Sequence, residues 1–172
     1  MFAIVQNDSV MLLVQPGTAF EWQNNFYPAN WTNLSTPEEK AAIGMVDVVY
    51  GTQADPQYYW VTETYPVYNP TTNQVDINFT NTPKDLVGVK TNAIQQVNST
   101  AYSILLPTDW MVVKAVETST AIPTAWNTWR QSIRTTAASA VSSIEAAADV
   151  AAVAAINIVW PKDPDQIAAE EI

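Results

Sequence analysis

From Ile122 onward an apolar side chain returns at every third or fourth position: Ile122, Trp126, Trp129, Ile133, Ala137, Ala140, Ile144 and Ala148. That period is the α-helix repeat, so the stretch reads as a long helix with one apolar stripe. Pro123 suits its first turn. A second ladder, Val87, Ile94, Val97, Ala101 and Ile104, ends before Pro107. Each helix is expected to run roughly 20–25 residues, about 30–40 Å at 1.5 Å rise per residue. Neither can bury its stripe alone, so the two should pair as an antiparallel hairpin or pack against neighbouring copies. Thr108-Asp109-Trp110 is expected to open an extended or turn-like connection between them. Ala151–Ala155 reads as a short helix and Ile156–Trp160 as extended.

The first half has a different texture. Phe2–Gln6 and Val10–Val14 are apolar runs separated by Asn7-Asp8-Ser9, a hairpin signal. A second short pair, Thr18–Trp22 and Asn25–Tyr27, turns around Asn24-Asn25. Thr36-Pro37-Glu38-Glu39 carries a helix cap, with proline at the first helical position and Glu39 completing a capping box. Gly44 should stop that helix after about two turns. Val46–Tyr50, Tyr58–Tyr65 and Val75–Phe79 read as strands, the last two forming a hairpin through Asn69-Pro70-Thr71-Thr72-Asn73. The expected fold is α+β: a small antiparallel β-rich domain over 1–82, a helical hairpin over 83–160, and an acidic flexible tail over 161–172.

Composition narrows the chemistry. The 172 residues contain no cysteine and no histidine. Disulfides, Cys/His metal sites, histidine triads and the usual neutral-pH proton shuttle are therefore excluded. With four glycines, the chain shows no phosphate loop, dinucleotide fingerprint or Gly-x-Ser-x-Gly elbow. Glu38 with Glu39 is explained by capping, and Asp163 with Asp165 lies in the tail, so no carboxylate pair suggests acid–base catalysis. No catalytic residue, cofactor or metal is assigned, and an enzyme is not expected. The net charge of −10, from 7 basic and 17 acidic residues, argues against nucleic-acid binding. No segment approaches a membrane span, and the N-terminus lacks the pattern of a secretory signal. Charged residues make up only 14% of the chain, which favours a surface that packs against other subunits.

The aromatic residues admit two readings. Trp22, Phe26, Tyr27, Trp31, Tyr58, Tyr59 and Trp60 could form a sugar-binding platform, or fill the core of a small β-domain. The core reading is favoured. Trp126 and Trp129 lie on the helical stripe and read first as packing anchors. Arg130 and Arg134, one helical turn apart, are candidates for contact with a partner, because a guanidinium can stack on a ring or clamp a carboxylate.

Residues 105–161 also carry an ordered motif: Leu105, Leu106, then Thr108-Asp109-Trp110, then Trp126, Trp129, Arg130, Ile133 and Arg134, closed by Trp160-Pro161. This segment resembles the tail-assembly-chaperone or tail-fibre-assembly domain of tailed bacteriophages. FYPANWTNLSTPEEKAAIGM in the first half resembles other phage tail proteins. The resemblance implies a protein of the tail-fibre or baseplate region, made in the host cytoplasm and located in the virion tail. Its implied partners are tail or tail-fibre proteins and further copies of itself, with Trp110, Trp126, Trp129, Arg130, Arg134 and Trp160 as interaction residues. The long alanine-rich span between Arg134 and Trp160 departs from compact members and points to a resident component over a transient assembly chaperone. A carbohydrate-binding host-recognition module is the remaining alternative.

Overall fold

The computed structural model describes residues 1–170, which fall into two compact units: Met1–Thr82 and a second beginning at Pro83. The first unit is β-rich and the second helical, an α+β chain.

Strands β1 (Phe2–Gln6) and β2 (Ser9–Val14) form the expected hairpin. Its turn works because Asn7 and Asp8 both take positive φ, 51° and 57°, a conformation these two residue types tolerate better than most. The next hairpin, β3 (Phe20–Trp22) with β4 (Asn25–Tyr27), repeats the device at Gln23 and Asn24. Two short helices follow, α1 (Trp31–Leu34) and α2 (Pro37–Ala42). The predicted capping box on α2 is present. Thr36 Oγ1 accepts from Glu39 N at 3.2 Å, and Glu39 Oε2 accepts from Thr36 N at 2.8 Å. Gly44 ends the helical turn with φ +73° and leads into β5 (Met45–Tyr50).

The later strands differ from expectation. The Asn69–Asn73 turn does join two antiparallel arms, but both arms break. Near the turn, β7 (Val67–Asn69) pairs with β8 (Gln74–Ile77). Farther out, β6 (Tyr59–Glu63) and β9 (Phe79–Pro83) form a separate two-stranded ribbon. At the break the two arms remain tied, Thr64 N donating to the Asn78 carbonyl and Asn78 N to Thr64 Oγ1. The main sheet has the order β2-β1-β5-β8-β7, and β5 runs parallel to β8. The sheet is thus mixed, not purely antiparallel. A parallel neighbour requires a crossover, supplied here by the long excursion through β6 and β7.

Alternation along β1 gives the sheet two apolar faces. Ala3 packs with Val75 and Ile77 on one side, and Ile4 with Val14 and Met45 on the other. Phe20, Trp22 and Trp31 cover the second face.

In the second unit, α3 (Leu86–Leu105) and α5 (Thr124–Ala146) are the two long helices. Asp85 caps α3 through Gly88 N at 2.8 Å. Val89, Ala93, Val97 and Ala101 are its buried face, opposed by Trp129, Ile133, Ala137, Ala140 and Ile144 of α5. The small alanines allow close approach along the middle of the pair. Polar bonds fix the antiparallel arrangement at both ends: Lys90 Nζ donates to the Glu145 carbonyl at 2.8 Å, and Arg130 Nη1 to the Leu105 carbonyl at 3.1 Å.

Two expectations for this unit are corrected. Thr108-Asp109-Trp110 does not open an extended connection; a 3₁₀ turn over Leu106–Thr108 leads directly into another helix, α4 (Asp109–Thr118). Nor is the segment after Pro161 a free tail as far as residue 170. After α6 (Val150–Ala154) and an irregular stretch, Asp163 caps a final helix, α7 (Pro164–Glu170). Asp163 Oδ1 accepts from Gln166 N at 2.8 Å, and Gln166 Oε1 accepts from Asp163 N at 3.2 Å, with Pro164 at the first helical position. Residues 171 and 172 of the expected tail lie outside the described residues.

Candidate functional site

Helix α3 ends where Pro107 cannot continue it, leaving unpaired carbonyls at its C-terminus. Arg130 of α5 supplies donors there. Its Nη1 bonds to the Leu105 carbonyl and to Thr108 Oγ1, and Thr108 Oγ1 in turn donates to Leu105 O at 2.8 Å. Nη2 bonds to Asp109 Oδ1 at 2.7 Å. The guanidinium therefore sits at the negative end of α3, while its carboxylate partner lies in the first turn of α4, at that helix's positive end. Both helix dipoles favour the pair. Arg130 is 3% exposed, so its planar fork is held away from water with acceptors on both terminal nitrogens.

One residue earlier, Trp129 points to the opposite end of the motif. Its Nε1 donates to the Pro161 carbonyl at 3.0 Å, and its ring meets Trp126 edge-on with centroids 5.5 Å apart. Trp126, Trp129 and Trp160 line a cavity of about 410 Å³, completed by Ile104, Pro107, Pro161 and Gln166 among others. Trp126 also walls a second cavity, of about 170 Å³, facing α4.

The motif residues thus converge although they span Leu105 to Pro161 in sequence. Their roles separate. Trp129 and Arg130 are buried, Trp126 and Trp160 half-buried, and Trp110 is 56% exposed. Of the two arginines expected to meet a partner, only Arg134 reaches solvent; its Nη1 lies 3.5 Å from the Arg130 carbonyl. Arg130 is a clamp within the fold, because Thr108 and Asp109 arrive on the side that helical spacing left open.

Sequence reasoning missed α4 as a surface. Leu106, Val113 and Val116 are exposed alongside Trp110, and Lys114 lies over the Trp110 ring, 5.7 Å from its centroid. The signal was present: Asp109–Thr118 is apolar on most sides, with Asp109 placed for a helix start.

In the first unit, Phe20, Tyr27 and Trp31 form one aromatic cluster. Phe20 stacks on Tyr27 at 4.7 Å, and Trp31 meets both rings edge-on. Phe26 and Trp60 stay exposed on two different ribbons, β4 and β6. Among the described residues, no group of three or more His, Cys, Asp or Glu could hold a metal ion, and no helix is long and apolar enough to cross a membrane. No protein-family model, curated protein or solved structure matches this chain.

Proposed function

We propose that this chain is a structural or accessory protein of a bacteriophage tail, belonging to the tail-fibre or baseplate region and acting by protein–protein contact. The observation that supports the reading is the convergence of the motif: Thr108 and Asp109 bind Arg130, while Pro161 binds Trp129 on the adjacent position of α5. Residues that resemble the tail-assembly pattern are thereby the ones that join α3, α4, α5 and the segment before α7. A helix bearing Trp110, Val113 and Val116 in solvent is the kind of surface that proteins reserve for association. The alanine-rich α5, 23 residues long, favours a resident subunit over a transient assembly chaperone.

Quantitative mass spectrometry of purified virions tests this. The protein is expected at a stoichiometric ratio to other tail proteins. Presence in infected-cell lysate with absence from particles rejects the resident reading in favour of the chaperone, and absence of any association with tail or fibre proteins rejects both.

A further inference from the structure

The larger cavity of the helical unit, about 410 Å³, is lined by two kinds of residue. Trp126 and Trp129 of α5 and Trp160 before α7 bring three of the chain's seven indoles to one space. Asp163 and Gln166 bring a carboxylate and an amide to the same space.

The hydrogen-bonding capacity of these side chains is only partly used. Trp129 Nε1 is committed to the Pro161 carbonyl, whereas the indole N–H groups of Trp126 and Trp160 have no protein acceptor among the described residues. Asp163 Oδ1 and Gln166 Oε1 accept from backbone N–H groups. Asp163 Oδ2 and Gln166 Nε2 keep no protein partner among the described residues. Unused donors and an unused acceptor therefore belong to the same residues that supply apolar ring surface.

Charge and size narrow what such a cavity takes. Lys162 and Asp163 are its ionisable lining residues, and their charges cancel. Asp165 follows on α7, and the nearby Arg130 and Asp109 neutralise each other. An anion would meet Asp163 and Asp165 in a chain of net charge −10, and a cation would meet Lys162, so a neutral ligand is favoured. A dry cavity of roughly 150 Å³ takes one benzene ring, so this one takes about two six-membered rings and no long chain. A neutral six-membered ring with C–H faces and a hydroxylated edge is a pyranose, and rings beside a few polar groups suit both of its parts.

We infer that the cavity binds a neutral pyranose sugar of one or two rings. Its C–H face packs on indole surface. Its hydroxyls accept from Trp126 Nε1, Trp160 Nε1 and Gln166 Nε2 and donate to Asp163 Oδ2. Sugar binding of this kind is independent of residence in a phage tail.

The test is an NMR titration of the full chain with glucose, galactose, mannose, N-acetylglucosamine, maltose and cellobiose in turn, following the indole N–H signals. At least one sugar is expected to shift Trp126 and Trp160 with a Kd of about 1–10 mM, leaving Trp22, Trp31 and Trp60 unmoved. Trp160→Phe keeps a ring but loses the N–H, and should weaken that sugar about two- to tenfold. An unchanged Trp129 signal in this variant reports that the fold persists. No shift with any of these sugars overturns the inference, as does a shift confined to tryptophans of the first unit. Unchanged affinity in Trp160→Phe overturns the assignment of its N–H to the site. Choline binding more tightly than every sugar overturns the inference in favour of a cation cage. Hexaproline binding without a sugar response assigns the cavity to a partner protein's peptide. None of these outcomes alters the virion measurement, so the two readings fall separately.

Discussion

The Arg130 guanidinium and the Asp109 carboxylate lie 2.7 Å apart, yet only one of them is shut away from water: Arg130 is 3% exposed and Asp109 47%. The pair is therefore asymmetric in energy. Arg130→Met takes the donor from Thr108 Oγ1 and Asp109 Oδ1, leaves Leu105 O with Thr108 Oγ1 as its remaining side-chain donor, and is expected to cost about 2–4 kcal/mol. Asp109→Asn keeps a hydrogen-bond acceptor, and water replaces much of the lost attraction, so about 1 kcal/mol is expected. Urea titrations of both variants measure the difference. Equal, small losses would mean that the pair behaves as a surface ion pair.

Trp129 combines two contributions that substitution can separate. Trp129→Phe keeps a ring but removes the indole N–H from the Pro161 carbonyl, for an expected loss of about 1–2 kcal/mol. Trp129→Ala also opens a cavity and should cost about 3–5 kcal/mol. Hydrogen exchange adds a directional check. Trp129→Phe should raise exchange selectively in residues 161–170, with α3 little changed.

Gly44 is constrained twice. Its φ is +73°, and a Cβ there would collide with the Val5 carbonyl oxygen, while Val5 N donates to Gly44 O at 2.8 Å. Gly44→Ala is expected to cost more than about 2 kcal/mol, through both backbone strain and a displaced β1. A calorimetric scan measures it, with Gly17→Ala as the comparison. Gly17 also has positive φ but open space around it, so its loss should be smaller.

The cap of α2 makes a pH prediction. Glu38 is held below the ordinary glutamate range, first by a hydrogen bond to its own backbone and then by the Thr36 hydroxyl. A depressed carboxylate stabilises the fold above its unfolded pKa, and that contribution disappears as pH falls through the folded value. Thr36→Ala should cost about 1 kcal/mol at neutral pH through loss of the N-cap. It should also raise the Glu38 pKa, and its penalty should shrink in acid. An NMR titration of Glu38 beside stability curves at pH 7 and pH 3 would show both effects, and an unmoved Glu38 would assign its shift to the backbone alone.

What the sequence made legible was local. The Asn7-Asp8 turn, the Thr36–Glu39 cap and the Trp129–Ile133–Ala137–Ala140–Ile144 face each depend on residues within a turn or two of one another, so spacing reveals them. The parallel pairing of β5 with β8 depends on residues far apart in the chain, where no period exists to read. Thr64 and Asn78 hide the break in the long hairpin for a related reason: their bonds form only once both arms are in place. Helix α4 was obscured by Pro107 before it and by valines that suit a strand as well as a helix. Arg130 was misplaced because spacing on α5 puts it beside the stripe, whereas its burial is decided by Thr108 and Asp109. At the candidate site, the sequence therefore revealed the motif and concealed which of its members face inward.

The Trp129–Pro161 bond also has a consequence in time. A ribosome releases the chain from its N-terminus, and α3 and α5 can meet as soon as residue 146 has emerged. At that moment Arg130 already has its acceptors on Leu105, Thr108 and Asp109, but the indole of Trp129 has none. Its acceptor, the Pro161 carbonyl, lies beyond the end of α5 and emerges after it. A pairing of α3 with α5 that precedes Pro161 can close the Arg130 clamp but cannot supply the Trp129 indole with this carbonyl, so the two bonds depend on different lengths of chain.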